Sequence, residues 1–301
     1  MRPSDLENLA LRYVPGEGAI AIDPLGAGLV NESYRVARGG RLYSLRVPAA
    51  HAAEFGLDRG WECRVLECAA AAGIAPLVEC CDPCQGILVM RWAGGRAWTV
   101  PEVRRAENID SVAQLARRIH ALPAPQGARI MSPAAWIAYY QEALIQHAAD
   151  TGYPPIDGRR SLDLRSRATG SLAALTASPP LAPVLCHSDL HRHNVVVGEH
   201  GLILLDWEYA HVSEPLWDLA GWICNNDLNE DSRQLLLARY LDRGPTSPEA
   251  ARLKRLVWLY DYVCFLWCEL YSKLRPGGAG EGIFARGQLL AERLEHGSGR
   301  A

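Results

Sequence analysis

A polar stretch enclosing two apolar runs constrains the fold of this chain more than any other part of it. It reads VLCHSDLHRHNVVVGEHGLILLDWEYA and occupies positions 184–210. The runs NVVVG and GLILLD are typical of short buried strands, and the pair Glu199-His200 between them predicts a hairpin turn. Such a hairpin brings the residue before its first strand close to the residue after its second.

The register of this hairpin follows from the position of its turn. With a two-residue turn, Gly198 lies opposite Gly201 and Asn194 lies opposite Leu205. Asp206 then lies at the open end beside Asn194, roughly 5 Å away across the ladder. Amide and carboxylate oxygens suit Mg²⁺, which completes its shell with phosphate and water. The pattern therefore predicts a magnesium site formed by Asn194 and Asp206.

A further carboxylate lies on the segment that enters the hairpin. Asp189 precedes Asn194 by five residues, so it is near the predicted metal yet able to face a substrate. It could accept a proton from a hydroxyl group while the metal neutralises a phosphoryl group.

Two other interpretations of the stretch are open. Asn and Asp are common turn residues at strand ends, without any further role. His187, His191 and His193 could be zinc ligands, with His211 as a nearby fourth. We favour His187 as a core histidine that braces the loop, with His191 and His193 as ordinary loop residues.

The composition of the chain limits the classes of function. The chain has 301 residues, of which 49% are hydrophobic, and a formal net charge of −3. A chain of this length can form one large domain or two lobes. Its slightly negative net charge does not indicate nucleic-acid binding. No apolar run reaches the roughly 18 residues of a membrane span, and the first residues lack a signal-peptide core, so we expect no membrane insertion.

The cysteines indicate a compartment. Their number, nine, is odd, and most lie in apolar, helix-like stretches, which predicts reduced thiols and a cytoplasmic location. The segment CCDPC, with Cys80, Cys81 and Cys84, contains one C-x-x-C pair. A structural zinc site needs a second such pair, so a turn around Asp82-Pro83 is the favoured interpretation.

The order of predicted elements indicates an α+β fold with two lobes. Residues 1–92 form a small β-rich lobe, in which Gly39-Gly40 predicts a hairpin and a helix follows up to Gly73. Residues 93–301 form a larger, mainly helical lobe, in which the polar stretch is an isolated hairpin.

These motifs together resemble the aminoglycoside phosphotransferase and choline kinase superfamily, which has a bilobal protein-kinase-like fold. His187, Asp189 and Asn194 match its catalytic loop, H-x-D-x-x-x-x-N. Asp206 matches the aspartate that opens its metal-binding segment. Asp218, in PLWDLAGW, matches an aspartate that begins a helix and braces the catalytic loop. The resemblance extends along nearly the whole chain and implies ATP and Mg²⁺ as cofactors.

The resemblance also gives the first lobe a purpose. The segment GAGLVNES matches a loop that covers phosphates, and from it we assign Gly26, Gly28, Asn31 and Ser33 to nucleotide binding. Small residues and exposed backbone N–H groups suit such a loop.

Four more residues of this lobe are assigned to the nucleotide by the resemblance. Arg46 stands where the fold expects a basic residue on its third strand, usually lysine, and a guanidinium can fork onto phosphate oxygens. Glu62, on the next helix, matches the glutamate that pairs with it. Met90 and Trp92 lie in the strand and hinge expected to bind adenine.

The acceptor is less clear than the donor. Trp207, Glu208, Trp222 and Trp267 are predicted acceptor-binding residues, because aromatic rings interleaved with carboxylates suit a cationic alcohol. The segment LLDWEYA, followed by EPLWDLAGW, resembles choline kinase-like members of the superfamily more than antibiotic-modifying ones, which implies choline (or ethanolamine) as the acceptor. The alternatives are a thiamine kinase, then an aminoglycoside or sugar kinase, then a non-catalytic kinase-fold protein that binds nucleotide.

Overall fold

A computed structural model describes residues 3–49, 52–152, 159–179, 181–198, 201–275 and 277–296. The chain forms two compact units, each built from several segments. The first unit comprises Met1–Trp98, Leu122–Ala128 and His193–Ala210, and the second comprises Thr99–Ala121, Arg129–Arg192 and His211–Ala301.

An antiparallel sheet is the main element of the first unit. Its strands are β1 (Ile20–Ala27), β2 (Asn31–Arg38), β3 (Arg41–Pro48), β4 (Val78–Asp82) and β5 (Ile87–Arg91). Their order across the sheet is β1-β2-β3-β5-β4. The predicted hairpin is confirmed, since β2 and β3 pair with Arg38 opposite Arg41 on either side of Gly39-Gly40. Both glycines have positive φ, as a turn of this type requires.

Two helices accompany this sheet. Helix α1 (Pro3–Tyr13) contributes Ala10 to an apolar cluster whose other buried members lie just after α1 and on β2, β3 and β5. Helix α2 (Arg59–Ala71) begins at Asp58, whose side chain accepts a hydrogen bond from the Trp61 N–H. It ends before Gly73, which has a φ of +65° and stops the helix as the sequence predicted.

The polar hairpin belongs to the first unit. Strands β8 (Val195–Gly198) and β9 (Gly201–Leu204) pair, and β8 also pairs with the short strand β6 (Arg96–Ala97). The order of predicted elements placed this hairpin among the helices of the second lobe, whereas it belongs with the sheet of the first unit. The pairing with β6 was not predicted, because a two-residue strand has no pattern of its own. A Cβ atom at Gly95 would clash with the Val197 carbonyl oxygen, so glycine permits this pairing.

The second unit is mainly helical. Its helices are α3 (Ala106–His120), α4 (Pro133–Thr151), α5 (Arg159–Thr176), α6 (Leu216–Asn225), α7 (Glu230–Leu241), α8 (Ser247–Leu274) and α9 (Ala279–His296). Helix α8 packs against α4, α5, α6 and α9. A capping box between Thr246 and Glu249 begins it.

A two-stranded sheet completes the second unit. Strands β7 (Val184–Cys186) and β10 (His211–Ser213) are antiparallel, with Cys186 opposite His211. Each strand is only three residues long, so its alternation was too short to predict the pairing.

The prediction that all cysteines are reduced thiols is wrong for two of them. Cys63 on α2 and Cys81 on β4 form a disulfide, because their Cα atoms lie 6.0 Å apart where the helix packs on the strand. The predicted turn after Cys81 is present, since Asp82 accepts hydrogen bonds from the N–H groups of Cys84 and Gln85, both at 3.1 Å. Among the described residues, no helix has both the length and the apolar composition that crossing a bilayer requires.

Candidate active site

The open end of the polar hairpin has the predicted register. Gly198 pairs with Gly201, and the Leu205 N–H donates to the Asn194 carbonyl oxygen at 2.8 Å. Asp206 follows directly, with a left-handed φ of +60° that few non-glycine residues adopt. Asn194 is buried, whereas the side chain of Asp206 is 40% exposed. An amide and a carboxylate thus come from adjacent positions of one ladder, a donor set that fits a hard cation such as Mg²⁺.

Arg46 and Glu62 form a buried bidentate ion pair. Nη1 and Nη2 of Arg46 donate to the two carboxylate oxygens of Glu62 at 2.5 and 2.6 Å. Arg46 Nη1 also lies 3.5 Å from Asp206 Oδ1. Burial alone would lower the pKa of Arg46, but the carboxylate of Glu62 raises it. Likewise burial alone would raise the pKa of Glu62, but the charge of Arg46 lowers it, so both groups stay charged.

The glycine-containing segment joins β1 and β2. A Cβ atom at Gly28 would lie 2.6 Å from the Asn31 carbonyl oxygen, so only glycine fits this bend. Ser33 stands directly opposite Arg46 in the β2–β3 ladder, which places the two side chains on one face of the sheet. Gly26 lies in β1. Gly28 and Ser33 therefore belong to the same small region as the ion pair.

The predicted adenine segment lies at the end of β5. Met90 is buried and pairs with Ser44 on one side and Val78 on the other. The Trp92 N–H donates to the Leu42 carbonyl oxygen at 3.1 Å, so the sheet already uses this donor. Adenine recognition at this end of the strand stays a prediction.

In the second unit, Asp218 fixes the backbone of the loop that follows β7. Its carboxylate accepts hydrogen bonds from the N–H groups of His187 at 2.9 Å and Ser188 at 2.6 Å, and lies 3.1 Å from His120 Nε2. Ser188 has a left-handed φ of +69°. Burial alone would raise the pKa of Asp218, but the hydrogen bond from His120 holds it below its usual range. A buried carboxylate that stays ionised thus holds an unusual backbone conformation.

Further contacts fix the same loop and leave the tip of Asp189 accessible. The Asp189 N–H donates to Nδ1 of His187 at 3.2 Å, which places the ring proton of a neutral His187 on Nε2. The Tyr260 hydroxyl donates to the Ser188 carbonyl oxygen at 3.1 Å. The side chain of Asp189 is 29% exposed and lies 3.5 Å from His191 Nε2. A rigid loop therefore presents a partly solvated carboxylate.

A family model decides the class of this arrangement. Residues 21–254 match the model of the phosphotransferase enzyme family. The chain belongs to that family. The match includes the β-rich first sheet, the polar hairpin and the loop of Asp189, so the resemblance drawn from the motifs is confirmed.

Individual proteins are similar to this chain in sequence or in fold. Protein LicA of Haemophilus influenzae is 33% identical over 91 residues, which are 28% of this chain and 34% of LicA, so the chain spans about a third of the length of this relative. A choline/ethanolamine kinase family protein from Mesorhizobium loti is 24% identical, with a TM-score of 0.75 over 98% of this chain and 99% of that one. Choline kinase LicA from Streptococcus pneumoniae is 20% identical, with a TM-score of 0.76 over 96% and 98%.

The fold of the phosphotransferase family is therefore the fold of this chain, and the predicted protein-kinase-like class is confirmed. Among the described residues, the side chains of His187, His191 and His193 do not come close enough together to share an ion. Within the described residues, the His, Cys, Asp and Glu side chains close enough to share an ion are those of His120, Cys186 and Asp218. His211 contacts two other side chains instead. Its Nδ1 lies 2.9 Å from Ser188 Oγ, and its Nε2 accepts a hydrogen bond from the indole N–H of Trp136 at 3.3 Å.

The predicted acceptor residues differ in their surroundings. Trp207 and Trp222 are fully buried, and the indole N–H of Trp207 donates to the Leu204 carbonyl oxygen at 3.0 Å. Neither ring offers a face to a solute in this conformation, so the arrangement does not favour an acceptor role for them. Glu208 is also buried. Trp267 is half-buried and stacks on Tyr271, with ring centroids 5.1 Å apart.

Sequence reasoning missed Arg59, the first residue of α2. Its Nη1 donates to Glu62 Oε2 at 2.9 Å and to Glu208 Oε2 at 3.0 Å. The spacing of Arg59 and Glu62, three residues apart on a helix, is a signal that could have found the first contact. The contact with Glu208 joins positions 149 residues apart, and no pattern along the chain indicates it.

Proposed function

We propose that the chain is an ATP- and Mg²⁺-dependent kinase that transfers the γ-phosphoryl group to the primary hydroxyl of a small cationic alcohol, choline or ethanolamine. The observation that carries the proposal is the rigid loop of Asp189, whose backbone is held by the ionised carboxylate of Asp218. Membership of the phosphotransferase family supports the reaction class. The similar fold of choline kinase LicA from Streptococcus pneumoniae supports the acceptor.

The first unit supplies the residues for the phosphate end of the donor. Asn194 and Asp206 would hold Mg²⁺ through their oxygens, and the bound ion would neutralise charge on the transferred phosphoryl group. Arg46 stays charged because Glu62 pairs with it, and its guanidinium suits phosphate oxygens. The bend at Gly28 brings backbone close to this region without a side chain in the way.

Asp189 is the proposed general base. Its carboxylate accepts the proton of the acceptor hydroxyl as the oxygen attacks the γ-phosphorus, and ADP leaves. Its backbone N–H is engaged by His187 and the preceding carbonyl by Tyr260, so the direction of the side chain is set before the acceptor binds. Such pre-organisation is how a base gains efficiency over solvent.

Helix α8 is the favoured source of acceptor contacts. Trp267 is half-buried and stacks on Tyr271, and an aromatic ring of this kind suits a quaternary or primary ammonium group. The choline/ethanolamine kinase and choline kinase with similar folds are consistent with this choice.

The test is ADP release from Mg-ATP against a panel of choline, ethanolamine, thiamine, aminosugars and a kanamycin-type aminoglycoside. The expected result is the highest kcat/KM with choline or ethanolamine. Trp267→Ala should raise the acceptor KM and leave the ATP KM unchanged, with Trp258→Ala on the same helix as the control. Efficient turnover of the aminoglycoside, with none of choline, ethanolamine or thiamine, would refute the proposed acceptor class.

A further inference from the structure

A buried ion cluster in the first unit joins residues from two strands, a helix and the segment after the polar hairpin. Its members are Asn31 at the start of β2, Arg46 on β3, Arg59 and Glu62 on α2, and Glu208 after β9. The guanidinium groups of Arg46 and Arg59 face the carboxylates of Glu62 and Glu208, and Arg46 also lies 3.5 Å from Asp206. Each of the two carboxylates contacts at least one arginine within 3.0 Å. Burying these charges costs desolvation free energy, which the short hydrogen bonds within the cluster offset.

Arg59 donates hydrogen bonds to both carboxylates, whereas Arg46 donates to Glu62 and lies 4.0 Å from Glu208. Nη1 of Arg59 donates to Glu62 at 2.9 Å and to Glu208 at 3.0 Å, while Nη2 donates to the Asn31 side-chain oxygen at 2.7 Å. The Asn31 amide nitrogen in turn donates to Glu208 at 2.6 Å. Arg59, Asn31 and Glu208 thus form a closed ring of hydrogen bonds. Only 13% of the Arg59 side chain is exposed, so these contacts are largely desolvated.

The ring acts on two residues of the proposed active site through its contacts. Arg46 and Arg59 both donate hydrogen bonds to Oε2 of Glu62. Arg59 therefore holds Glu62 in the orientation that binds Arg46. Glu208 lies two residues after Asp206, whose backbone has the left-handed φ described above. Fixing Glu208 therefore limits the positions that Asp206 can take.

We propose that Arg59 is a positioning residue that sets Arg46 for the phosphates and Asp206 for the metal through Glu62 and Glu208. This inference rests on the proposed function. It also gives Glu208 a different role from the acceptor contact that the sequence predicted. A residue that orients the partners of a metal site typically changes metal affinity or activity by 10–100-fold when it is removed.

The test compares Arg59→Gln with Arg59→Lys and with Arg64→Gln as the control. Arg64 is exposed on the same helix and contacts the Trp61 ring rather than a carboxylate. Arg59→Gln should raise the ATP KM and the half-saturating Mg²⁺ concentration about tenfold, and leave the acceptor KM within about twofold. Arg59→Lys should recover part of the lost Mg-ATP affinity, because lysine keeps the positive charge but lacks the paired donors of a guanidinium group. Arg64→Gln should resemble the wild type.

Binding of Mg-ATP without acceptor, measured by calorimetry, separates this inference from the proposed function. Mg-ATP affinity that falls in Arg59→Gln supports the inference even if no alcohol is phosphorylated. A lower thermal midpoint with unchanged ATP and Mg²⁺ dependence would overturn it, because Arg59 would then only stabilise the fold. If Arg59→Gln does not fold, the isosteric Glu208→Gln variant decides. Its ATP and Mg²⁺ dependence should shift in the same direction, and unchanged values would contradict the proposal.

Discussion

Glu62 accepts hydrogen bonds from the guanidinium group of Arg46 with both of its carboxylate oxygens, at 2.5 and 2.6 Å. The pair is buried and both groups remain charged. Arg46 lies on β3, and Glu62 lies on α2, 16 positions later in the chain. Their contact therefore fixes α2 against β3. The two side chains thus form one structural unit.

Removing either partner should therefore weaken nucleotide binding in a coupled manner. We expect Arg46→Ala to raise the ATP KM more than Glu62→Gln, because the glutamate acts through the arginine. A double-mutant cycle on Mg-ATP binding should show a coupling energy of about 1 kcal/mol or more. Additive effects would mean that Glu62 does not position Arg46.

Asp206 should control the metal requirement. Asp206→Ala removes the carboxylate from the hairpin end, so the Mg²⁺ concentration for half-maximal turnover should rise at least about tenfold. The control is Glu67→Ala, which removes an exposed carboxylate from α2. A Mg²⁺ titration at fixed ATP measures both. Equal titration curves for Asp206→Ala and the wild type would contradict the proposed metal site.

The carboxylate of Asp218 should make stability depend on pH. Its pKa is below the usual value in the folded chain, so its stabilising effect is full above the unfolded pKa and is lost as pH falls through the folded pKa. Asp218→Asn should cost about 3 kcal/mol near pH 7, because two backbone donors lose a charged acceptor. Urea unfolding at several pH values should show this difference constant above about pH 5 and smaller below about pH 4. A difference that grows on acidification would contradict the assignment.

The disulfide between Cys63 and Cys81 predicts a thiol count and a stability change. Alkylation of the unfolded, unreduced chain should label seven of the nine cysteines. The bond closes a loop over a sequence separation of 18, so reduction should lower the free energy of unfolding by about 3 kcal/mol. A Cys63→Ala/Cys81→Ala variant should be insensitive to reductant. Nine labelled thiols in protein purified without reductant would contradict the bond.

Local patterns predicted the parts of this fold that depend on neighbouring residues. The register of β8 and β9 followed from a two-residue turn between Gly198 and Gly201. The β2–β3 hairpin followed from the turn at Gly39-Gly40. The stop of α2 at Gly73 likewise needs only local backbone geometry. The pairing of Glu62 with Arg46 came from the family resemblance.

Long-range contacts were beyond the reach of such patterns. The grouping of the hairpin with the first unit depends on β6, a strand of two residues. The ring of Arg59 and Glu208 and the bond between Cys63 and Cys81 depend on how a helix packs against distant segments. The burial of Trp207 also depends on tertiary packing, since a tryptophan next to a charged residue is equally common at a binding surface.

Transfer of labelled phosphate from [γ-³²P]ATP to choline, compared between the wild type and Asp189→Asn, is the decisive test of the proposed reaction. We expect labelled phosphocholine with the wild type, and a rate lower by about 10²–10⁴ with Asp189→Asn, because an amide cannot accept the hydroxyl proton. Mg-ATP affinity should be nearly the same for both proteins. A variant that retains more than about a tenth of the wild-type rate would contradict the role of Asp189 as the general base.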